Sequence, residues 1–404
     1  MSGTGDTPGV SGRNAHDQRD LVVRNVGRLT TWHGPDIVRA AVVIQGGVVS
    51  WTGPDAQLPA GLPAIEEYDA HGAAVLPGFV DSHTHAIWAG SRRDDFVGRL
   101  SGAPYSPHGI QSTVAATRAA SDPRLLTLAT QRIAEMQHNG ATTVEIKSGY
   151  GLTVDDELRI LRLAGSVPGP RVTTTYLGAH VVPDGRDRTD YVDEVVATVP
   201  HAIKAGAQWC DVFCDDGAFT LDEARRILTT AQLNGLGTRI HAEQLARTGA
   251  AQLAAELGCA SADHLDHVTD EDARVLAAAG VVATLVPVAS LYSRSMNWAH
   301  ARTLLDAGCT LAIATDCNPG TAWCESMPYA MQLACLGMGL PVETVLRAAT
   351  LGGAAALRRT DVGHLGIGAK GDLVVVNSDH PADLLGHRGA IAVIQTVVGG
   401  WLNG

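Results

Sequence analysis

The sequence is short of aromatic residues, of charge and of long apolar runs. Aromatics make up 4% of 404 residues, so any core must be built mostly from aliphatic side chains and alanine. Apolar residues still reach 45%, against 18% charged, which permits a sizeable core and leaves wholesale disorder unexpected. Positive charge is in deficit: 30 Lys and Arg against 42 Asp and Glu give a formal net charge of −12. Nucleic acid is normally met by a basic face, so no nucleic-acid partner is expected. No stretch approaches the roughly 18 consecutive apolar residues of a membrane span, so no membrane partner is expected. The first twenty residues are polar, without the apolar segment of a secretory signal. The seven cysteines are therefore expected to be reduced thiols in a cytoplasmic protein. Cys210 and Cys214 lie four apart, but no second pair follows at zinc-ribbon spacing, and structural zinc is not expected.

The chain divides by rhythm. Residues 1–20 are rich in Gly, Ser, Asp and Arg and are expected to form a disordered tail. From Leu21 to Ala73 short apolar runs alternate with turns such as Gln45-Gly46-Gly47, as in a small antiparallel sheet. From Ala74 a short strand and a longer helical stretch follow one another repeatedly. Eight candidate strands are Ala74–Val80, Thr142–Ile146, Val172–Tyr176, Gln208–Phe213, Gly237–Ile240, Ser261–Asp263, Val281–Leu285 and Thr310–Ala314. Leu125–Gln137, Asp222–Ala231 and Asp270–Ala279 have helical periodicity between them. Eight alternating units predict an α/β protein with a closed (β/α)8 TIM-like barrel, spanning residues 74–361. An open doubly wound sheet is the alternative. After a helix-like segment at Pro341–Leu357, strand signals return at Asp372–Val376 and Ala392–Val398. Residues 21–73 and 362–404 are thus expected to pair into a small β-sandwich domain built from both termini.

Chemistry-bearing residues recur where these strands end. His83 and His85 follow the first, two apart, and in extended backbone residues i and i+2 share a face. His180 follows the third strand, His241 the fifth, His264 the sixth and Asp316 the eighth. Each alone reads as readily as a satisfied structural group. Together they fall at the end of the barrel where barrel enzymes carry their sites. Histidines with a carboxylate suit one borderline divalent ion, zinc or iron, and fit an all-oxygen magnesium or calcium site poorly. Asp81 is expected to orient a ligand from behind. His264 and Asp316 are the candidates for proton transfer, with base and acid not assigned between them.

These residues carry a resemblance. The sequence resembles the amidohydrolase superfamily through Pro77-Gly78-Phe79-Val80-Asp81-Ser82-His83-Thr84-His85, Asp316, and Gly368-Ala369-Lys370-Gly371-Asp372-Leu373-Val374-Val375. Within it, the sequence closely resembles the imidazolonepropionase family. That likeness rests on Ala89-Gly90-Ser91-Arg92, Glu145-Ile146-Lys147-Ser148-Gly149-Tyr150-Gly151-Leu152, Leu177-Gly178-Ala179-His180 and Asp211-Val212-Phe213-Cys214. It continues through His241-Ala242-Glu243-Gln244-Leu245, Ala262-Asp263-His264-Leu265 and Ala314-Thr315-Asp316-Cys317-Asn318-Pro319-Gly320-Thr321. The resemblance implies hydrolysis of 4-imidazolone-5-propanoate to N-formimidoyl-L-glutamate in histidine degradation, with one zinc or iron ion. It implies His83, His85, His241 and Asp316 as ligands. It implies Arg92, Tyr150, His180, Gln244, Asn318, Gly320 and Thr321 as substrate contacts, and a homodimer.

The implied roles agree with the residues' chemistry. A small-molecule substrate with a carboxylate tail suits the bidentate fork of Arg92. Lys147 follows the second strand, whereas the carboxylated lysine that bridges two metals in many relatives usually follows the fourth. A single metal is therefore expected, with Lys147 in a structural role. One departure stands out: the Gly-rich stretch before Ser112-Thr113-Val114 is shortened to residues 103–111, although Tyr105 remains and is expected to contact the ring. A nucleobase-type deaminase on the same scaffold and a barrel without catalysis are the competing readings.

Overall fold

The computed structural model describes residues 19–62, 65–102, 109–294, 297–386 and 392–403. Residues 1–18 of the expected tail, and Tyr105, lie outside the described residues. Five strands come first: β1 (Leu21–Leu29), β2 (Ile37–Gln45), β3 (Val48–Pro54), β4 (Glu66–Asp69) and β5 (Ala74–Pro77). Eight follow: β6 (Phe79–Asp81), β7 (Ala141–Lys147), β8 (Arg171–Ala179), β9 (Trp209–Cys214), β10 (Gly237–Ala242), β11 (Ser261–His264), β12 (Val282–Leu285) and β13 (Leu311–Ile313). The last three are β14 (Leu373–Val376), β15 (Val393–Val398) and β16 (Trp401–Asn403).

Strands β6 to β13 pair in chain order, all parallel, as a nearly closed barrel. The seam between β6 and β13 is joined at its upper end by Asp316 N to His83 O (3.0 Å) and His85 N to Cys317 O (2.9 Å). Lower down, a π-turn at Ala348–Gly352 and the helix Gly353–Ala356 pack against β13 and β6. A Cβ on Gly352 would stand 1.9 Å from Leu311 O, and one on Gly353 2.2 Å from Val80 O. Only glycine lets this segment approach the seam so closely. The periodic segment at 341–357 is therefore helical, with a π insertion where it meets the barrel.

The helices have the sequence reasons expected of them. Asp122–His138 starts after Ser121, whose side chain accepts from Arg124 N, and buries Leu125, Ala129, Ile133 and Met136 along one stripe. Leu221–Leu233 and Asp270–Ala279 open with capping boxes, Thr220 with Glu223 and Thr269 with Asp272. The barrel core is rich in alanine and branched aliphatic residues, as the scarcity of aromatics requires. Among the described residues no helix is long and apolar enough to cross a membrane.

One strand differs from expectation. The run 74–80 is two strands, because Pro77 and Gly78 break it. Ala74–Pro77 joins the terminal sheet, pairing with β1 and β14, and only Phe79–Asp81 enters the barrel. Pro77 has no N–H to donate, and Gly78 passes so close to Thr142 that a Cβ would lie 2.2 Å from its hydroxyl. The terminal sheet runs β16-β15-β14-β5-β1-β2-β3, with β4 also on β1, so both chain ends share it. Its core of Leu21, Val23, Val42, Ile44, Val75, Leu373, Val375 and Val397 is separate from the barrel core. Arg171, at the start of β8, ties the two bodies through a bidentate pair with Asp372 (2.8 and 3.1 Å).

Candidate active site

His83 and His85 leave β6 on the same face, and the intervening Thr84 turns the other way. Thr84 donates its N–H and its hydroxyl to Glu145, at 3.1 Å to Oε2 and 2.7 Å to the carbonyl. The two imidazoles are thereby aimed inward. His83 Nδ1 bonds Asp263 Oδ2 at 2.6 Å, and His241 Nδ1 bonds Asp211 Oδ1 at 3.1 Å. A carboxylate accepts, so each Nδ1 carries the hydrogen and each Nε2 keeps its lone pair.

Those lone pairs converge. His83 Nε2 and His85 Nε2 each lie 3.5 Å from Asp316 Oδ1, and His241 Nε2 lies 3.4 Å from His85 Nε2. Ligands about 2.0–2.1 Å from a tetrahedral ion are separated by roughly 3.3–3.4 Å. Buried His83 Nε2 has no hydrogen-bond partner. A buried polar atom without a partner, in a cluster of that spacing, fits one divalent ion. His264 stands beside the cluster, with a nitrogen within 4.8 Å of those of His83 and His241.

The electrostatics agree. Burial, helped by neighbouring imidazoles and Lys147, holds His83, His85 and His264 well below the usual histidine range. His180 is brought down to about 4, chiefly by burial. All four are neutral donors of lone pairs near pH 7. Burial pushes the Asp316 carboxyl well above its ordinary range. An adjacent cation is what would keep it ionised.

Two buried cations stand behind the histidines. Lys147 Nζ lies 2.8 Å from both Glu145 Oε1 and Asp211 Oδ2. Arg239 reaches Asp263 Oδ2 at 3.2 Å and Ser82 O at 2.7 Å. Lys147 is thus an ion-pair partner within the barrel. The Asp81 carboxylate works through the backbone: it accepts from the His83 N–H as well as from Thr315 N (3.1 Å) and Thr315 Oγ1 (2.6 Å). It stands on the strand bordering the seam, where those donors are its neighbours, and so fixes the residue before Asp316.

One cavity gathers the rest. It is lined by His85, Arg92, Tyr150, His180, His241, Gln244, His264, Asp316, Asn318, Gly320 and Thr321, with Ile110 and Phe213 as apolar wall. Arg92 is almost fully buried, held by Asp95 and passing Gly109 so closely that a Cβ there would lie 1.9 Å from Nη2. Asn318 Oδ1 accepts from Gly320 N and Thr321 N, both at 2.8 Å, and shapes the loop after Asp316. The Gln244 N–H donates to Asp215 at 2.6 Å. His264 and Asp316 have positive φ, 80° and 53°. Backbone of that kind costs energy for a side-chain-bearing residue and concentrates at functional sites.

The amidohydrolase family model matches residues 74–402. The chain belongs to the amidohydrolase family. Among its curated relatives in that family, it is 49% identical to the imidazolonepropionase of Salinispora arenicola, covering 94% of this chain and 97% of that protein. It is 47% identical to the imidazolonepropionase of Streptomyces griseus, covering 90% and 91%. The imidazolonepropionase of Mycolicibacterium smegmatis is 43% identical over 94% and 96%. Among solved amidohydrolase-like folds, a triazine hydrolase from Arthobacter aurescens superposes with TM-score 0.71 at 18% identity, covering 95% and 94%. An adenosine deaminase from Xanthomonas campestris with bound zinc does so with TM-score 0.68 at 20% identity, covering 95% and 92%. At those identities the likeness concerns the fold.

Three residues of this amidohydrolase site were not singled out from sequence. Asp211 and Asp263 carry the hydrogen bonds that orient His241 and His83. A carboxylate inside a wholly buried strand is the signal that marks them, because an unpaired charge there is too costly to keep. Phe213, one residue before the end of β9, lies beside His180 and His241 at ring separations of 6.2 and 5.6 Å.

Proposed function

We propose that this amidohydrolase opens the cyclic amide of 4-imidazolone-5-propanoate by hydrolysis, giving N-formimidoyl-L-glutamate in histidine degradation. The observation that carries the proposal is one cavity lined by His85, His241, His264 and Asp316, which close around buried His83, and by the buried guanidinium of Arg92. The near full-length identity to imidazolonepropionases points to the same substrate.

His83, His85, His241 and Asp316 would hold one zinc or iron ion. When bound, that ion supplies Lewis acidity, making water a nucleophile near neutral pH and polarising the amide carbonyl. The chain's own groups do the rest. Arg92 pairs with the propanoate, and Tyr150, His180 and Gln244 face the ring. Asn318, Gly320 and Thr321 form the loop beside it. His264 and Asp316 share the proton: one accepts it from water as the new carbon–oxygen bond forms. The other returns a proton to the ring nitrogen as the carbon–nitrogen bond breaks. Holding the partners in this arrangement can supply roughly 7–11 kcal/mol of the barrier. The unpaired cysteines, six of them buried, suit the cytoplasmic setting that belongs to the proposal.

The test is turnover of freshly generated imidazolone propanoate by purified protein, with metal analysis of the same sample. Loss of the imidazolone with stoichiometric zinc or iron is expected. Ammonia release from nucleobases without imidazolone turnover would make the protein a deaminase instead.

A further inference from the structure

The loop Ser148–Leu152 leaves β7 and carries Tyr150 into the cavity. Three of its backbone N–H groups are held by one side chain. Glu157 Oε2 accepts from Gly149 N at 2.8 Å, and Oε1 accepts from Gly151 N and Leu152 N at 2.8 and 2.7 Å. Glu157 lies in the first turn of the helix Val154–Ala164, where an acidic residue commonly serves the helix end. That duty is already filled, because the Thr153 side chain caps the helix by accepting from Asp156 N. Glu157 turns away from it, is 2% exposed, and spends three strong acceptor positions on the loop.

The loop in turn sets the cavity wall. Gly149 has φ 101°, and a Cβ there would stand 2.8 Å from His180 Nδ1. Its carbonyl lies 2.9 Å from that same nitrogen. A carbonyl only accepts, so Nδ1 carries the hydrogen and the neutral ring keeps Nε2 as an acceptor. His180 stacks on His85 at 5.2 Å, and Tyr150 faces both rings at 5.5 and 6.0 Å. Gly151 completes the fit, since a Cβ on it would lie 2.5 Å from Glu157 N.

We infer that Glu157 is a positioning residue: by clamping the amides of 149–152 it fixes the His180 tautomer and the placement of Tyr150, and so sets affinity for the substrate ring. The inference rests on the functional reading above and acts through substrate binding, not through the metal or the proton steps.

The test compares wild type with Glu157→Gln and Glu157→Asp. Glutamine presents a donor where one amide needs an acceptor, and aspartate is one methylene too short to span all three. For Glu157→Gln, KM is expected to rise about tenfold or more, with kcat within about threefold and metal content unchanged. Amide hydrogen exchange should quicken at 149–152 and stay slow in β7 and β8. Combined with Tyr150→Phe, the changes in KM should fall short of additive. If the glutamine variant does not fold, the aspartate variant decides by the same readings, in the same direction and smaller. Unchanged KM, faster exchange without a KM change, or full additivity with Tyr150→Phe would each overturn the inference. The readings separate from the functional proposal: wild type that fails to consume imidazolone propanoate sinks that proposal, whereas exchange at 149–152 needs no substrate.

Discussion

His83 Nδ1 and Asp263 Oδ2 lie 2.6 Å apart, and neither side chain is exposed to solvent. Asp263 also receives Arg239 at 3.2 Å. The carboxylate therefore fixes which nitrogen of His83 is available to an ion, and Arg239 supports its negative charge. Partners of this type typically contribute 10- to 100-fold to metal affinity. Asp263→Asn keeps the shape and an acceptor but loses the charge. We expect zinc affinity about tenfold weaker or worse, with the fold retained, read by competition against a chelator alongside thermal melts. Unchanged affinity would mean that Asp263 serves only Arg239.

His264 has a nitrogen within 4.8 Å of those of His83 and His241, and the proposed reading gives it proton transfer while His83, His85, His241 and Asp316 hold the ion. His264→Ala should therefore remain folded and metal-loaded while turnover falls about 100-fold or more. Steady-state kinetics on metal-analysed protein tests it. Near-normal turnover removes His264 from the mechanism, and loss of the metal would make it a ligand.

Among the described residues that line the cavity, Arg92 is the one whose chemistry suits a carboxylate tail. Hydrogen bonds to charged partners are worth about 1.5–3 kcal/mol, or roughly 10- to 150-fold. Arg92→Ala should raise KM by that factor with a much smaller change in kcat. A KM that does not move would mean that the tail is held elsewhere.

The barrel and most of the cavity were legible in the sequence for one physical reason. Apolar strands that end in His or Asp stand out against their surroundings, and barrel geometry brings all such ends to one side. His83, His85, His180, His241, His264 and Asp316 meet for that reason alone. What the sequence hides is pairing across strands. Nothing local links Asp263 to His83, 180 positions earlier, or Asp81 to Thr315 across the seam. The break at Pro77-Gly78 was visible as residues, yet the preceding apolar run favours the terminal sheet only because β1 and β14 are there to receive it. Phe213 sits in a wholly buried strand, and nothing local marks that one side of its ring faces the cavity.

Asp266 allows a prediction about pH that is independent of the metal cluster. It sits two residues beyond His264, buried, and both its oxygens lie near the Ser290 hydroxyl, at 3.1 and 3.0 Å. One hydroxyl can donate to a carboxylate only once, so the second contact suits a protonated carboxyl that donates in return. Burial raises the group to about 8, and Asp215 adds to it. In the unfolded chain the same carboxyl titrates near about 3.9. Between those values the folded state holds a proton that the unfolded state has released. Folding stability from this group is therefore fully present below about pH 4 and is lost as pH rises through about 8, at up to about 1.4 kcal/mol per pH unit. Asp266→Asn mimics the protonated form and titrates nowhere in this range. Its stability relative to wild type should climb steadily from pH 5 to pH 8 and level off beyond, in urea melts at constant ionic strength. Parallel stability curves for the two proteins would show that Asp266 is ionised in the folded state and that the Ser290 contact is an ordinary hydroxyl-to-carboxylate bond.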